Sequence, residues 1–266
     1  MKGILKVCRI QALPFTWTPI AAGMLVAGVS DWTAFAAVMV SATVLHMGLY
    51  SDNEYVDYKK GYDTEDSSHP IPAGDVKPEL ALLNSGLLTL AGLLGLLNSI
   101  AFYTPRTPLH NLSLIFILVA TGLVVVYNRV SKERPVMSFL LPGVVTSMFF
   151  VIFGVLFGRV LIGGGIIVFA VATSGILVGD MRDLDPKEGV SEQSTQAMLP
   201  ESAIRLSGSI NNSHTILIPL LGVGVFMAYS YVFFDVLLPI AALMIVALVW
   251  PVVTLNYLYG GVNEFP

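Results

Sequence analysis

WTAFAAVMVSATVLHMGLYSDNEYVDYKKGYD, residues 32–63, changes character in its middle. Residues 32–50 contain no Asp, Glu, Lys or Arg, whereas residues 51–70 hold six acidic side chains. The apolar half does not alternate with period two, and it matches the roughly 20 residues that a helix needs to cross a hydrocarbon core. It reads as a transmembrane helix with carboxylates gathered at its end.

The same reading extends over the chain. Of its 266 residues 55% are hydrophobic and 12% charged, against roughly 45–50% and 25% in soluble domains. Apolar runs fall at approximately 12–29, 32–50, 80–103, 112–127, 136–158, 160–179, 214–234 and 236–259. None has the short alternating form of a barrel strand, so backbone amides in lipid must be satisfied within helices. The expected fold is all-α: one domain over residues 1–266, an integral membrane bundle of eight or nine transmembrane helices around a central cavity. MKGILKVCRIQALPFTW places positive charge before an apolar run, as a signal peptide does. That run continues to a full span and is interrupted by Pro14 and Pro19, so a retained first helix is expected. The single Cys8 excludes an internal disulfide and reads as a packing residue.

Basic residues fix the orientation. Lys2, Lys6, Arg9, Lys59, Lys60, Lys77, Arg129, Lys132, Arg134, Arg182, Lys187 and Arg205 all fall on one side of this arrangement, and Arg106 and Arg159 on the other. Lys and Arg collect on the cytoplasmic side, so both termini are expected there in the cell membrane. Of eighteen acidic residues, eight lie in 51–79 and six in 180–201, two loops on that same face.

Acidic loops between membrane helices are ordinarily just solvated. Here the polar residues keep helical spacing at span ends, two clusters share one face, and basic residues lie beside them. If the second span continues past Tyr50, Asn53 and Asp57 share a helix face, and Asp63 follows the turn at Gly61. In GDMRDLD, residues 179–185, Asp180 and Asp183 are three apart at the end of the sixth span, followed by Asp185. Mg2+ is usually held by one or two carboxylates together with substrate phosphates. Two such sets with Lys59, Lys60, Arg129, Lys132, Arg134 and Arg182 suit a diphosphate and bridging Mg2+. His46 lies about two turns before Asn53 and is expected to be a neutral histidine hydrogen-bonded between helices.

At NEYVDYKKGYD, residues 53–63, the sequence resembles the UbiA superfamily of intramembrane prenyltransferases, and within it the branch that prenylates dihydroxynaphthoate in menaquinone synthesis. IPAGDVKP (71–78) is similar to the family's P-x-P-S-G stretch, YNRVSKERP (127–135) to its Tyr and basic loop, and GDMRDLD to its second aspartate signature. Two departures stand out: Lys187 replaces a further aspartate, and Ser68-His69 replace an arginine often found before the P-x-P stretch.

The resemblance implies Mg2+-dependent transfer of a prenyl group from an isoprenoid diphosphate to a small aromatic or lipid acceptor. Asn53, Asp57, Asp63, Asp180 and Asp183 would be metal ligands, and Lys59, Lys132, Arg134 and Arg182 diphosphate ligands. Tyr127 would face the allylic cation, Asp63 would act as general base, and Arg9 would hold an acceptor carboxylate. Gly143, Gly163, Gly164 and Gly165 would allow close helix approach around the prenyl tunnel. The departures leave room for an ether-lipid prenyltransferase using glycerol phosphate, or a terpene cyclase. A membrane transporter is the non-enzyme alternative; the lack of ionisable Asp, Glu, Lys or Arg in mid-span argues against it. No nucleic-acid partner is expected.

Overall fold

In a computed structural model the described residues are 2–61, 69–104, 108–130, 135–182, 224–232, 234 and 236–259. They form helices and no strand. The helices are α1 (Lys2–Val7), α2 (Leu13–Val26), α3 (Trp32–Lys60), α4 (Pro78–Tyr103), α5 (Pro108–Arg129), α6 (Pro135–Leu156), α7 (Ile162–Arg182) and α8 (Leu237–Tyr259). Residues 224–232 are also helical. Among the described residues four helices are long and apolar enough to cross a membrane: α3, α4, most of α5 and most of α8.

Local chemistry explains the boundaries of α3. Asp31 caps its start, Oδ1 accepting from the backbone N–H of Thr33 (2.8 Å) and Ala34 (3.2 Å). Gly61 ends it in the left-handed region (φ 74°), where a residue without Cβ is at ease. The 29 residues between reach about 44 Å at 1.5 Å per residue, well over the ~30 Å of a hydrocarbon core. The helix therefore continues through residues 51–60, which the sequence left conditional, and lifts its acidic turns beyond the apolar stretch.

The first expected span, 12–29, is found as α2, and the chain ahead of it is broken. Instead of one helix from the N-terminus, α1 stops at Val7, Arg9 adopts φ 42° and ψ 52°, and a 3-10 turn over Ile10–Ala12 leads into α2. Holding Arg9 in this conformation is an interaction network described below. The run at 214–234 is described only from residue 224.

Helices α2, α3, α5 and α6 pack in a ring, with α4 outside against α3, α7 against α6 and α8 against α2. Ile20, Met24, Leu45, Leu49, Ile117, Phe149 and Phe153 build the core between them. The α3–α4 contact is close because its residues are small: a Cβ on Gly92 would collide with the backbone of Leu45, and one on Gly48 with that of Thr89. Small residues at such crossings let helix backbones approach without a hydrophobic driving force. Outward on α4, Leu82, Leu83, Leu87, Leu90 and Leu94 are exposed. Gly143 meets Thr173, Gly164 meets Phe150 and Gly165 meets Val151, so α7 runs antiparallel to α6. A Cβ on Gly163 would meet Tyr229 only at an ordinary 3.5 Å. This register carries the last turn of α7, with Asp180 and Arg182, back to the end where α6 begins.

Candidate active site

The ring lines a partly open cavity of about 260 Å3. Its walls are mostly apolar, with Phe15 of α2, Leu45 and Leu49 of α3, Val124 of α5, and Val145 and Phe149 of α6. Polar groups converge at one end: Arg9, Asn53, Tyr127 and Asn128. Pro142 also lines it; its carbonyl accepts from Thr146 Oγ1 at 2.8 Å, one turn on.

Successive residues of a helix point about 100° apart, and this sorts the acidic turns of α3 into three directions. Asp52, Asn53, Glu54 and Asp57 are all buried, at 3, 6, 1 and 5% exposure, so each needs a partner. Asn53 lines the cavity end and is bonded to Asp57, Asn53 Nδ2 donating to Asp57 Oδ2 at 2.9 Å. Asp52 turns toward α5, accepting from Arg129 Nη2 at 2.6 Å and Asn128 Nδ2 at 3.2 Å. Asn128 Nδ2 also donates to the Leu49 carbonyl at 3.1 Å, and Lys60 Nζ to that of Arg129 at 2.8 Å. These bonds fasten the end of α5, and with it Tyr127, to α3.

Glu54 turns toward the N-terminal arm. Its Oε1 accepts a hydrogen bond from Arg9 Nε, while Oε2 lies 3.3 Å from His69 Nδ1. Arg9 Nη2 is in turn 3.9 Å from Asp57 Oδ2. Burial alone would lower the pKa of the Arg9 guanidinium; the carboxylates of Glu54 and Asp57 outweigh it and hold the pKa above its ordinary value, so the group stays charged. His46 on α3 bridges the arm and α2, with Nδ1 2.8 Å from Thr16 Oγ1 and Nε2 3.2 Å from the Arg9 carbonyl. This is the inter-helix role expected from the sequence.

The structure thus brings together Arg9, Asn53 and Tyr127 at one end of a cavity, with Asp57 bonded to Asn53. Lys59 is exposed, with its ammonium 5.9 Å from the Tyr55 ring, away from the cavity lining. Asp63, Lys132, Arg134 and Asp183 lie outside the described residues, as do the side chains of Asp180 and Arg182. Sequence reasoning passed over Asp52, Glu54 and Asn128. The signal for the first two was a helix carrying more carboxylates than one face can use.

Asn53 and Asp57 offer an amide and a carboxylate one helical turn apart. This donor set fits Mg2+, which takes few protein ligands when substrate phosphates supply others. Among the described residues no three Asp, Glu, His or Cys side chains converge as a self-sufficient metal cage.

A sequence model of the UbiA prenyltransferase family matches residues 16–259. No curated protein matches the chain by sequence. Among solved structures, a UbiA homologue from Archaeoglobus fulgidus bound to GPP and Mg2+ superposes with a TM-score of 0.60 at 16% identity, covering 96% of this chain and 87% of that one. The same homologue bound to DMAPP and Mg2+ gives 0.60 at 17%, covering 96% and 87%. A digeranylgeranylglyceryl phosphate synthase gives 0.56 at 16%, covering 99% and 89%. At these identities the likeness is one of fold.

Proposed function

Because the chain belongs to the UbiA prenyltransferase family, and is thus a membrane-embedded prenyltransferase, we propose that it transfers a prenyl group from an isoprenoid diphosphate to an aromatic acceptor of the dihydroxynaphthoate type, in lipid quinone (menaquinone) biosynthesis. The observation that carries this reading is the cavity itself: apolar walls for a prenyl chain, ending at Asn53, Tyr127 and Arg9, with Asp57 behind Asn53.

Asn53 and Asp57 would hold Mg2+ from α3, joined by Asp63, Asp180 and Asp183. Bound there, Mg2+ would neutralise charge developing on the departing diphosphate. Lys59, Lys132, Arg134 and Arg182 would bind diphosphate oxygens from the surrounding loops. Leu49, Val145 and Phe149, which line the cavity, would shield the allylic carbon from water, and the ring of Tyr127 in the same lining would stabilise the cation. Asp63 would take the proton released by the acceptor, and Arg9 would orient an acceptor carboxylate. Lys6, Lys60 and Arg129 gather at the same end of the bundle as Asn53, which supports a cytoplasmic site in a multi-pass protein of the cell membrane.

The fold likeness to digeranylgeranylglyceryl phosphate synthase favours a second reading, transfer to a glycerol-phosphate lipid. Mass spectrometry separates the two. The purified protein in detergent is given geranyl, farnesyl, geranylgeranyl or longer diphosphates, with dihydroxynaphthoate or geranylgeranylglyceryl phosphate, in Mg2+ or chelator. A Mg2+-dependent prenylated naphthol is expected. Prenylation of the glycerol lipid alone would move the assignment to the second reading, and a cyclic hydrocarbon with free diphosphate would replace transfer by cyclisation.

A further inference from the structure

Glu54 is the most buried carboxylate at the site, 1% exposed, yet it does not line the cavity. Its two oxygens are spent on two separate pieces of chain. One holds Arg9, whose left-handed backbone (φ 42°) is unfavourable for a residue with a Cβ and persists only where the surroundings fix it. The other meets His69, at the head of segment 69–77. That segment packs Ile71 and Val76 against Val7 of α1, and its Asp75 accepts from Lys6 Nζ at 3.0 Å. Arm and segment are therefore joined to each other, and Glu54 pins the pair to α3 one residue beyond Asn53.

We propose that Glu54 is a positioning residue for the diphosphate end of the site, holding the Arg9 guanidinium back from Asp57 and fixing where segment 69–77 returns over α3. This rests on the prenyl diphosphate reading above. Arg9 stands between two carboxylates, bonded to Glu54 and 3.9 Å from Asp57. With Glu54 replaced by Gln, Asp57 becomes the nearest carboxylate to Arg9, and a guanidinium closing on Asp57 competes with any cation that the carboxylate must bind.

The test is binding of geranyl S-thiolodiphosphate, an analogue that does not ionise readily, to the full-length protein in detergent by calorimetry, with Mg2+ or with chelator. The wild type is expected to bind in Mg2+ only. Glu54→Gln, with its gel-filtration profile unchanged, should bind about 10–100-fold more weakly, the usual range for groups that orient a metal's ligands. Arg9→Gln combined with Glu54→Gln should recover part of that loss, which a merely structural defect would not. If Glu54→Gln does not fold, His69→Gln leaves the buried charge paired with Arg9 and should show a smaller loss in the same direction. Unchanged binding in the folded variant, or a double variant no better than Glu54→Gln, overturns the proposal while leaving the donor reading intact. A wild type that does not bind the analogue in Mg2+ overturns both.

Discussion

Asp57 and Asp52 sit five residues apart on one helix, both buried, and do different work. Asp52 is neutralised by Arg129 and fastens α5; Asp57 shares its oxygen with Asn53 at the cavity end. Asp57→Ala should therefore leave the protein folded, because Arg9 keeps Glu54 as partner, while turnover falls by more than about 100-fold. Single-turnover product formation beside a detergent melting curve checks this, and full activity would remove Asp57 from the chemistry. The Asn53–Asp57 pair was legible from its four-residue spacing once the helix was taken to continue. The partners of Asp52 and Glu54 were not, for they lie 77 and 45 residues away in the chain. Spacing tells which way a side chain leaves its helix, but not what the fold brings to meet it. Arg9 shows the same limit: the resemblance alone put it in the site, and neither its αL turn nor its bond to Glu54 of α3 was legible in the sequence.

At the scale of elements, α3 and α4 form the closest pair, and their contact runs through glycines. Gly92→Leu would drive a side chain into the Leu45 backbone, which cannot yield, so a loss of about 1–3 kcal/mol or more is expected. Gly86→Leu, on the same helix with open space around it, should change stability by no more than about 1 kcal/mol. Melting temperatures of the two variants in one detergent decide the point; equal values would mean that the helices part without cost. The helices themselves were readable, since apolar length dominates in lipid, and α3, α4, α6 and α8 begin within a few residues of their expected starts. What hydropathy could not locate was the break between α1 and α2, because Arg9 is turned by hydrogen bonds rather than by a glycine or proline.

For the whole molecule, the positions of charge predict orientation. Lys59 lies at the carboxylate end, whereas Arg159, between α6 and α7, lies at the opposite one. A membrane-impermeant maleimide should label Arg159→Cys in intact cells and Lys59→Cys only after permeabilisation; the reverse pattern would put the site outside. The native Cys8 is buried and gives little background. The general class was legible in composition, and the ring of four helices was not, since the order in which spans pack depends on pairwise contacts between distant residues. One such contact joins the two ends of the chain: Trp250 of α8 donates to the carbonyl of Ile10 at 2.6 Å, and its indole lies 5.1 Å from that of Trp17. The two bonded residues are 240 positions apart. At about 5–20 residues per second on the ribosome, the arm bearing Arg9 emerges roughly 10–50 s before the helix that braces it. The hydrogen bond that braces the arm beside Arg9 thus forms only after Trp250 has been made, and a nascent chain stopped before it would carry every carboxylate of α3 without this contact at Ile10.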